Sequence, residues 1–447
     1  MSSPAAAFYP VSPKAALKAT YVGQSIRNIP TPAVIIDVAA ARRNCERMLQ
    51  ACDRLKLSWR AHVKTHKTVE LARLQVGADA ARPANLIVST LAEAEFLLPA
   101  LTEYRSQGRR VNVLYGLPVG QNAVPRLAAV AQSLGPGSVS VLLDDPAQLP
   151  VVSRLRQQSG FVPDALIKID MGGRRAGVVA DSARFLELAD AALEAHKQGD
   201  MCLAGLYSHA GHSYGGDSRV AALKMMKAEI SAMRDGADCL RARAADKGVS
   251  ELSRLTLSAG ASPTALSAEA ASLAALFDAV KDEGHTVEIH AGVYPTLDLQ
   301  QLAAHSLSSS RLSWGDIALT VLAEVHSVYP ERGADGTAEV LIGAGLLALG
   351  REPPGVDMPA GDVEDFQGWV VGRFSQEHGI LTWTRSQTDK PGPTPEQGMV
   401  EVGQRVRLWP NHACITSSHY GWYFVVDQGR AGKEDEIVDI WPRAKGW

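Results

Sequence analysis

Short apolar runs recur through the first two thirds of the chain in a rhythm that alternates strand with helix. Runs at 57–63, 85–89, 110–115, 139–143, 165–170, 202–209, 255–258 and 287–291 are of strand length. Helix-like or breaker-rich segments separate them, among them 90–100, 181–196, 218–247 and 264–283. Strands in alternation with helices fold as a parallel sheet, and eight such units are the count that closes a barrel. No G-x-G-x-x-G follows an early strand, so a (β/α)8 barrel is expected over an open doubly wound sheet. Ahead of the repeat, 33–37 reads as a compact strand. A helix is expected over 39–56, where Ala41, Cys45, Met48, Leu49, Cys52 and Leu55 recur three and four apart.

After about residue 311 the pattern changes to short strands without long helices, at 317–328, 338–342, 368–374, 380–384, 405–408, 422–426 and 437–440. These predict a separate C-terminal antiparallel β domain, with exposed loops at 351–365 and 386–397 rich in Pro, Gly and charge. The expected division is a lead-in at 1–28 packed on the β domain, a barrel at 29–310 and the β domain at 311–447.

Composition narrows the function classes. A chain of 447 residues with 46% hydrophobic and 21% charged residues is an ordinary globular protein of two or three domains. Its net charge of −3 gives no electrostatic case for nucleic acid or an anionic membrane. The opening M-S-S-P-A-A-A-F-Y-P carries no basic segment followed by an apolar core, so no secretory leader is read there. Five cysteines, an odd number spread over the chain, argue against a disulfide framework and for a reducing, cytoplasmic setting. Cys45 and Cys52 fall on a helix stripe and Cys202 and Cys239 in apolar stretches, which leaves Cys414 for chemistry.

The stretch S-W-R-A-H-V-K-T-H-K-T (58–68) puts Lys64 where a strand runs into a helix, at the strand end where barrels do chemistry. Lys64 is either a solvated strand-end lysine or an amine that forms a Schiff base, which requires a desolvated site. The fifth unit ends in K-I-D-M-G-G-R-R-A-G-V, offering Arg174 and Arg175 for a carboxylate partner or a cofactor oxygen. The sixth ends in Y-S-H-A-G-H-S-Y-G (207–215), where a histidine is a better functional candidate than one on a helix surface and Tyr207 is equally read as core packing. The seventh and eighth end in small Gly-containing turns, L-S-A-G-A-S-P-T with Ser262 and Thr264, and H-A-G-V-Y-P-T. Turns after the last barrel strands commonly hold phosphate, so a phosphorylated aldehyde cofactor is the economical reading. In W-P-N-H-A-C-I-T-S-S-H-Y-G-W, an extended 412–414 would aim His412 and Cys414 to one face. Imidazole with thiolate suits zinc, although a hydrogen-bonded His beside a half-buried Cys is the plainer alternative.

Taken together, H-V-K-T-H-K (62–67), K-I-D-M-G-G-R-R-A-G-V (168–178), G-L-Y-S-H-A-G-H-S-Y (205–214), H-A-G-V-Y with 298–301 beyond it, and P-N-H-A-C (410–414) resemble the eukaryotic D-serine dehydratase family. These are pyridoxal 5'-phosphate enzymes with an alanine-racemase-like barrel and a C-terminal β domain, related to D-threonine aldolase. The likeness runs from about 29 to 441. It implies that Lys64 is the Schiff-base lysine and the Cα base, that Arg175 and Tyr207 approach the cofactor ring, and that Ser262, Gly292, Val293 and Tyr294 surround its phosphate. It implies Zn2+ on His412 and Cys414, where aldolase relatives tend to carry His-x-Asp, and a small D-amino acid as substrate. Arg174 departs from the His that relatives often carry there. The resemblance further implies a head-to-tail homodimer, with His412 acting either within its own chain or in trans. The rival activities are aldol cleavage of D-β-hydroxy amino acids, cofactor binding without turnover, and racemisation using Tyr420 or Tyr423 as a second base.

Overall fold

The computed structural model describes residues 10–216, 218–249, 252, 254–268, 270–307, 312–351, 369–383 and 400–447. The first strand, β1 (Ala33–Asp37), joins a sheet completed by the C-terminal third of the chain, and the next eight form the barrel. These are β2 (Ser58–His62), β3 (Ala84–Val88), β4 (Val111–Pro118), β5 (Val139–Leu143), β6 (Asp164–Ile169), β7 (Cys202–Ser208), β8 (Thr256–Ala259) and β9 (Thr286–Ala291). Every pairing between them is parallel, and β2 closes the ring by pairing with both β3 and β9.

Alternation along each strand sorts its side chains. On β2, Trp59 and Ala61 face outward and join the core under the helices, where Trp59 Nε1 donates to the Gln75 carbonyl at 2.9 Å. The inward set is a smaller apolar cluster of Ile87, Leu114, Leu142, Leu166 and Tyr207. Beside it run buried polar groups. Arg60 Nε donates to Glu288 Oε1 at 2.7 Å, and Ser258 Oγ donates to the same oxygen at 2.8 Å. A barrel interior filled this way is a packed floor under the mouth, where the strand ends deliver their turns.

Local signals set the elements around that mouth. The helix Val69–Val76 starts where Thr68 Oγ1 accepts from Leu71 N and stops at Gly77, whose φ is +70°. The stretch expected as one helix over 264–283 is two, Ser262–Ser267 and Ala271–Asp282, so Ser262 and Thr264 lie inside a short helix of their own.

The second sheet contains β10 (Leu319–Tyr329), β11 (Glu339–Ile342), β12 (Trp369–Phe374), β13 (Gly379–Trp383), β14 (Arg405–Leu408), β15 (Trp422–Val426) and β16 (Asp439–Pro442). Among the described residues its order is β12-β13-β11-β10-β1-β15-β16, with β14 also on β10. All its pairs are antiparallel save β1 with β15. Strand 33–37, read from sequence as the start of the barrel domain, therefore sits in the second sheet. All five of its residues are buried, and a run without alternation does not specify which sheet it enters. The lead-in helix Lys14–Tyr21 lies on this sheet, Tyr21 meeting Phe424 edge-on at 5.2 Å. Of the two expected loops, 386–397 and all of 351–365 but Arg351 lie outside the described residues. Cys202 opens β7 in an exposed position, which corrects its reading as an apolar-stretch cysteine. Among the described residues no helix is long and apolar enough to cross a membrane.

β7 meets β8 closely at Gly205. A Cβ there would lie 2.0 Å from the Thr256 carbonyl oxygen, so backbone would have to move. Gly205→Ala is expected to cost about 3 kcal/mol or more, the upper range for overpacking, read as a lowered urea midpoint with unchanged slope.

Candidate active site

Lys64 stands two residues beyond β2 in a turn closed by Lys67 N donating to the Val63 carbonyl at 2.8 Å, with Lys67 at φ +53°. Burial lowers the Lys64 pKa from the ordinary lysine value. The Cys414 thiol opposes that shift and the Arg175 guanidinium adds to it. Lys64 is half-buried, which favours the desolvated alternative over a strand-end lysine with a fully solvated ammonium. On the far side of the turn, Lys67 Nζ pairs with Glu93 Oε1 at 2.8 Å, and Glu93 is wholly buried.

Two more cations reach the mouth. In the turn after β6, Asp170 Oδ1 accepts from Gly172 N and Arg174 N at 2.9 and 3.0 Å, with Gly172 at φ +111° and Arg174 at +50°. That tight loop returns Arg175 towards Lys64, whose pKa it lowers. Lys168, at the end of β6 and 4% exposed, holds Nζ 4.9 Å over the Tyr207 ring. Burial, then Arg175, brings its pKa down to about 8.

Tyr207 stacks parallel on His290, with centroids 4.4 Å apart and planes 6° from parallel, and His209 follows at 6.1 Å. His209 Nδ1 bonds the Gly260 carbonyl at 2.7 Å, and His290 Nδ1 bonds Ser258 Oγ at 3.0 Å. Burial holds His62, His209 and His290 well below the ordinary histidine range, and neighbouring lysine cations push the same way. The mouth therefore combines three cationic side chains with neutral imidazoles.

The turns expected to hold phosphate lie together. Ser262 Oγ accepts from Val293 N at 3.2 Å, joining the β8 and β9 ends. Gly292 is packed so closely that a Cβ would stand 3.2 Å from the His62 carbonyl, which brings the β9 turn against the end of β2. Tyr294 differs from expectation. Its ring is buried outside the barrel, edge-on to Trp59 at 5.3 Å and beside Cys45, so only its main chain is available to the mouth. Among the described residues, buried Ser213 Oγ and His290 Nε2 have no protein hydrogen-bond partner. Unmet polar atoms, a depressed lysine amine and surplus positive charge fit an anionic aromatic aldehyde such as pyridoxal 5'-phosphate.

The His-x-Cys stretch reaches this mouth from the β domain of the same chain. Cys414 Sγ lies 3.0 Å from Thr65 Oγ1, next to Lys64, so the two turns meet within one chain. Residues 412–414 are not extended throughout. His412, at φ −134° and ψ 100°, caps a helix that runs Ala413–Ser418 and carries Cys414 in its first turn. Among the described residues no group of three or more His, Cys, Asp or Glu is arranged for a metal. A thiolate with an imidazole suits zinc and leaves positions open, as a catalytic zinc requires. Tyr420 OH and Tyr423 OH donate to the carbonyls of Ala348 and His66 at 3.1 and 3.0 Å, and burial raises both pKa values. Neither is poised as a second base within this chain.

Sequence reasoning named the motifs and favoured a histidine within 207–215, the stretch that holds His209, but gave no role to Thr65, Lys168 or His290. For His290 the signal was a polar residue at every second position of an otherwise apolar strand, in Thr286, Glu288 and His290.

Comparison with known proteins gives the same architecture. The alanine racemase N-terminal domain matches 36–281, and the serine dehydratase domain matches 318–426. Fold and site thus define a barrel protein of the alanine racemase type with a C-terminal sheet. The D-serine dehydratase of Schizosaccharomyces pombe is 36% identical, covering 98% of this chain and 97% of its own. That of Saccharomyces cerevisiae is 31% identical over 96% and 98%. The chain belongs to the D-serine dehydratase family. The structure of D-threo-3-hydroxyaspartate dehydratase from Delftia sp. HT23 superposes with a TM-score of 0.74 at 28% identity, over 95% of this chain and 100% of that one. A cysteine variant of that dehydratase has been solved in a metal-free form.

Behind the mouth, Glu229 is wholly buried on the helix Arg219–Asp246. It accepts from Ala210 N at 2.8 Å, and burial raises its pKa to about 7 despite hydrogen bonds from Thr264, Ala210, Gly260 and Ser208. A folded-state pKa above the unfolded 4.5 means a stabilising contribution that is complete below about pH 4.5 and lost as pH rises through about 7. Glu229→Gln is expected to flatten this dependence, gaining up to about 3 kcal/mol on wild type between pH 5 and 8. Urea midpoints of the cofactor-free proteins across that range are the measurement.

Proposed function

We propose that this chain dehydrates D-serine to pyruvate and ammonia, using pyridoxal 5'-phosphate and zinc. The observation that carries the reading is the meeting of Lys64 and Cys414 across two domains, with Thr65 Oγ1 and Cys414 Sγ 3.0 Å apart. Its near relatives named D-serine dehydratase support the choice of substrate.

Pyridoxal 5'-phosphate, when bound, supplies a carbonyl for amines and a ring that spreads the charge left at Cα. Lys64 would hold it covalently. Ser262, Gly292, Val293 and the main chain of Tyr294 would receive the phosphate, and Arg175 and Tyr207 would face the ring. Zinc on His412 and Cys414 would supply the Lewis acidity that departure of the β-hydroxyl needs, since hydroxide is a poor leaving group. The depressed pKa of Lys64 matters at the proton transfer, because only the neutral amine can take the Cα proton. The neutral imidazoles of His62 and His209 add no charge beside that amine, so they do not oppose its protonation during the transfer. Loss of water and later addition of water at Cα balance, leaving pyruvate and ammonia as the net products. The same reading takes the enzyme as a homodimer.

Proton NMR on the loaded enzyme with D-serine and D-threonine together is the test. Pyruvate and 2-oxobutyrate are expected. Glycine with acetaldehyde would replace this reading with an aldolase, and no product with a bound cofactor would replace it with a binding protein. Cys414→Ala is expected to keep the cofactor's visible absorbance and to lower kcat at least 100-fold, the scale on which loss of a transition-state electrophile is felt. Lys64→Ala is expected to abolish both.

A further inference from the structure

We infer that Asp298 is the positioning residue for the His412–Cys414 pair, a conclusion that rests on the metal reading above. Asp298 follows β9 in the barrel, fully buried, and caps the short helix Leu299–Ala303 by accepting from Gln301 N at 2.9 Å through Oδ1. Its other oxygen, Oδ2, accepts from Ala413 N at 2.8 Å, the N–H lying between the two candidate ligands in sequence. The segments are joined twice more, Leu299 N donating to the Pro410 carbonyl at 3.2 Å and Gln300 N to the Asn411 carbonyl at 3.1 Å. One carboxylate thus starts two helices that belong to different domains.

The consequence for the ligands is geometric. His412 stays extended and Cys414 enters a helix because the chain turns at Ala413, where Asp298 takes the N–H. Without that acceptor the first turn of Ala413–Ser418 has no fixed start, and the imidazole and sulfur lose their relative placement. Asn in place of Asp has one acceptor oxygen, so one of the two N–H groups would face an amide N–H. Outer groups that orient ligands in this way typically change metal affinity about 10- to 100-fold when removed.

The test measures Zn2+ affinity of the cofactor-loaded full chain by competition with a chromophoric chelator, for wild type and Asp298→Asn. A second variant, Ala413→Pro, removes the N–H that Asp298 accepts and puts the ring Cδ in its place, so that Oδ2 must move aside. Proline is tolerated at a first helical position, and an extended residue before it suits it. Both variants are expected to bind Zn2+ at least 10-fold more weakly and to recover kcat as zinc is raised. Their cofactor absorbance and the KM for D-serine at saturating zinc are expected to stay as in wild type. With Co2+ as probe, the thiolate-to-metal absorption of wild type is expected to weaken or shift in both. Wild-type Zn2+ affinity in either folded variant overturns the role of Asp298. A wild-type chain that takes up neither metal overturns the metal reading itself.

Discussion

The turn at 64–67 has to satisfy two domains at once. Its own strand delivers it from the barrel, but its outer side is fastened by the β domain: Tyr423 OH donates to the His66 carbonyl at 3.0 Å, Ala444 N to the Lys67 carbonyl at 2.9 Å, and Cys414 Sγ sits 3.0 Å from Thr65 Oγ1. On the barrel side Lys67 pairs with the fully buried Glu93. Removing one partner of such a pair strands a buried charge and costs about 3–5 kcal/mol, whereas an exposed pair such as Arg184 with Glu187 is worth roughly 1 kcal/mol or less. The position of Lys64 is thus a property of the joint between barrel and sheet.

Burial at that joint explains the electrostatics of the mouth. Lys64, Lys168 and Arg175 gather there, and the pKa of Lys64 and of Lys168 falls because a charged amine is poorly solvated and each cation discourages the next. Two like charges 5 Å apart repel by about 3 kcal/mol at an effective dielectric of 20. The three histidines respond by staying neutral. Such a site gains most from a ligand with fixed negative charge. A phosphate and a phenolate would relieve the repulsion while leaving one lysine able to act as a base.

Much of this was legible in the sequence, and the parts that were not have physical causes. Eight apolar runs spaced by helices specify a closed barrel, and Lys64, Arg175, Ser262 and Cys414 fall at strand ends or turns marked by Gly, Pro and charge. The destination of 33–37 was not legible, because a strand buried on both faces fits either sheet. The orientation of Tyr294 was hidden for a related reason: a turn residue can point to the mouth or to the helix layer, and Trp59 and Cys45 decide it. The conformation of 412–414 depends on Asp298, 115 residues earlier, and no local pattern carries that information.

Long-range dependence of this kind also orders the rest of the β domain. β15 lies parallel to β1 and carries Tyr423, while β16 lies on β15 and leads into Ala444, so two of the fastenings on the lysine turn hang from adjacent strands. Asp37, the last residue of β1, caps the helix Val38–Arg54 and also accepts from Gln428 N at 3.1 Å, just beyond β15. The N-terminal strand therefore fixes where β15 ends, β15 fixes where Tyr423 meets His66, and that contact fixes the turn carrying Lys64. Placing a barrel-mouth lysine through a strand that the sequence order puts before the barrel makes the second sheet part of the site's scaffold.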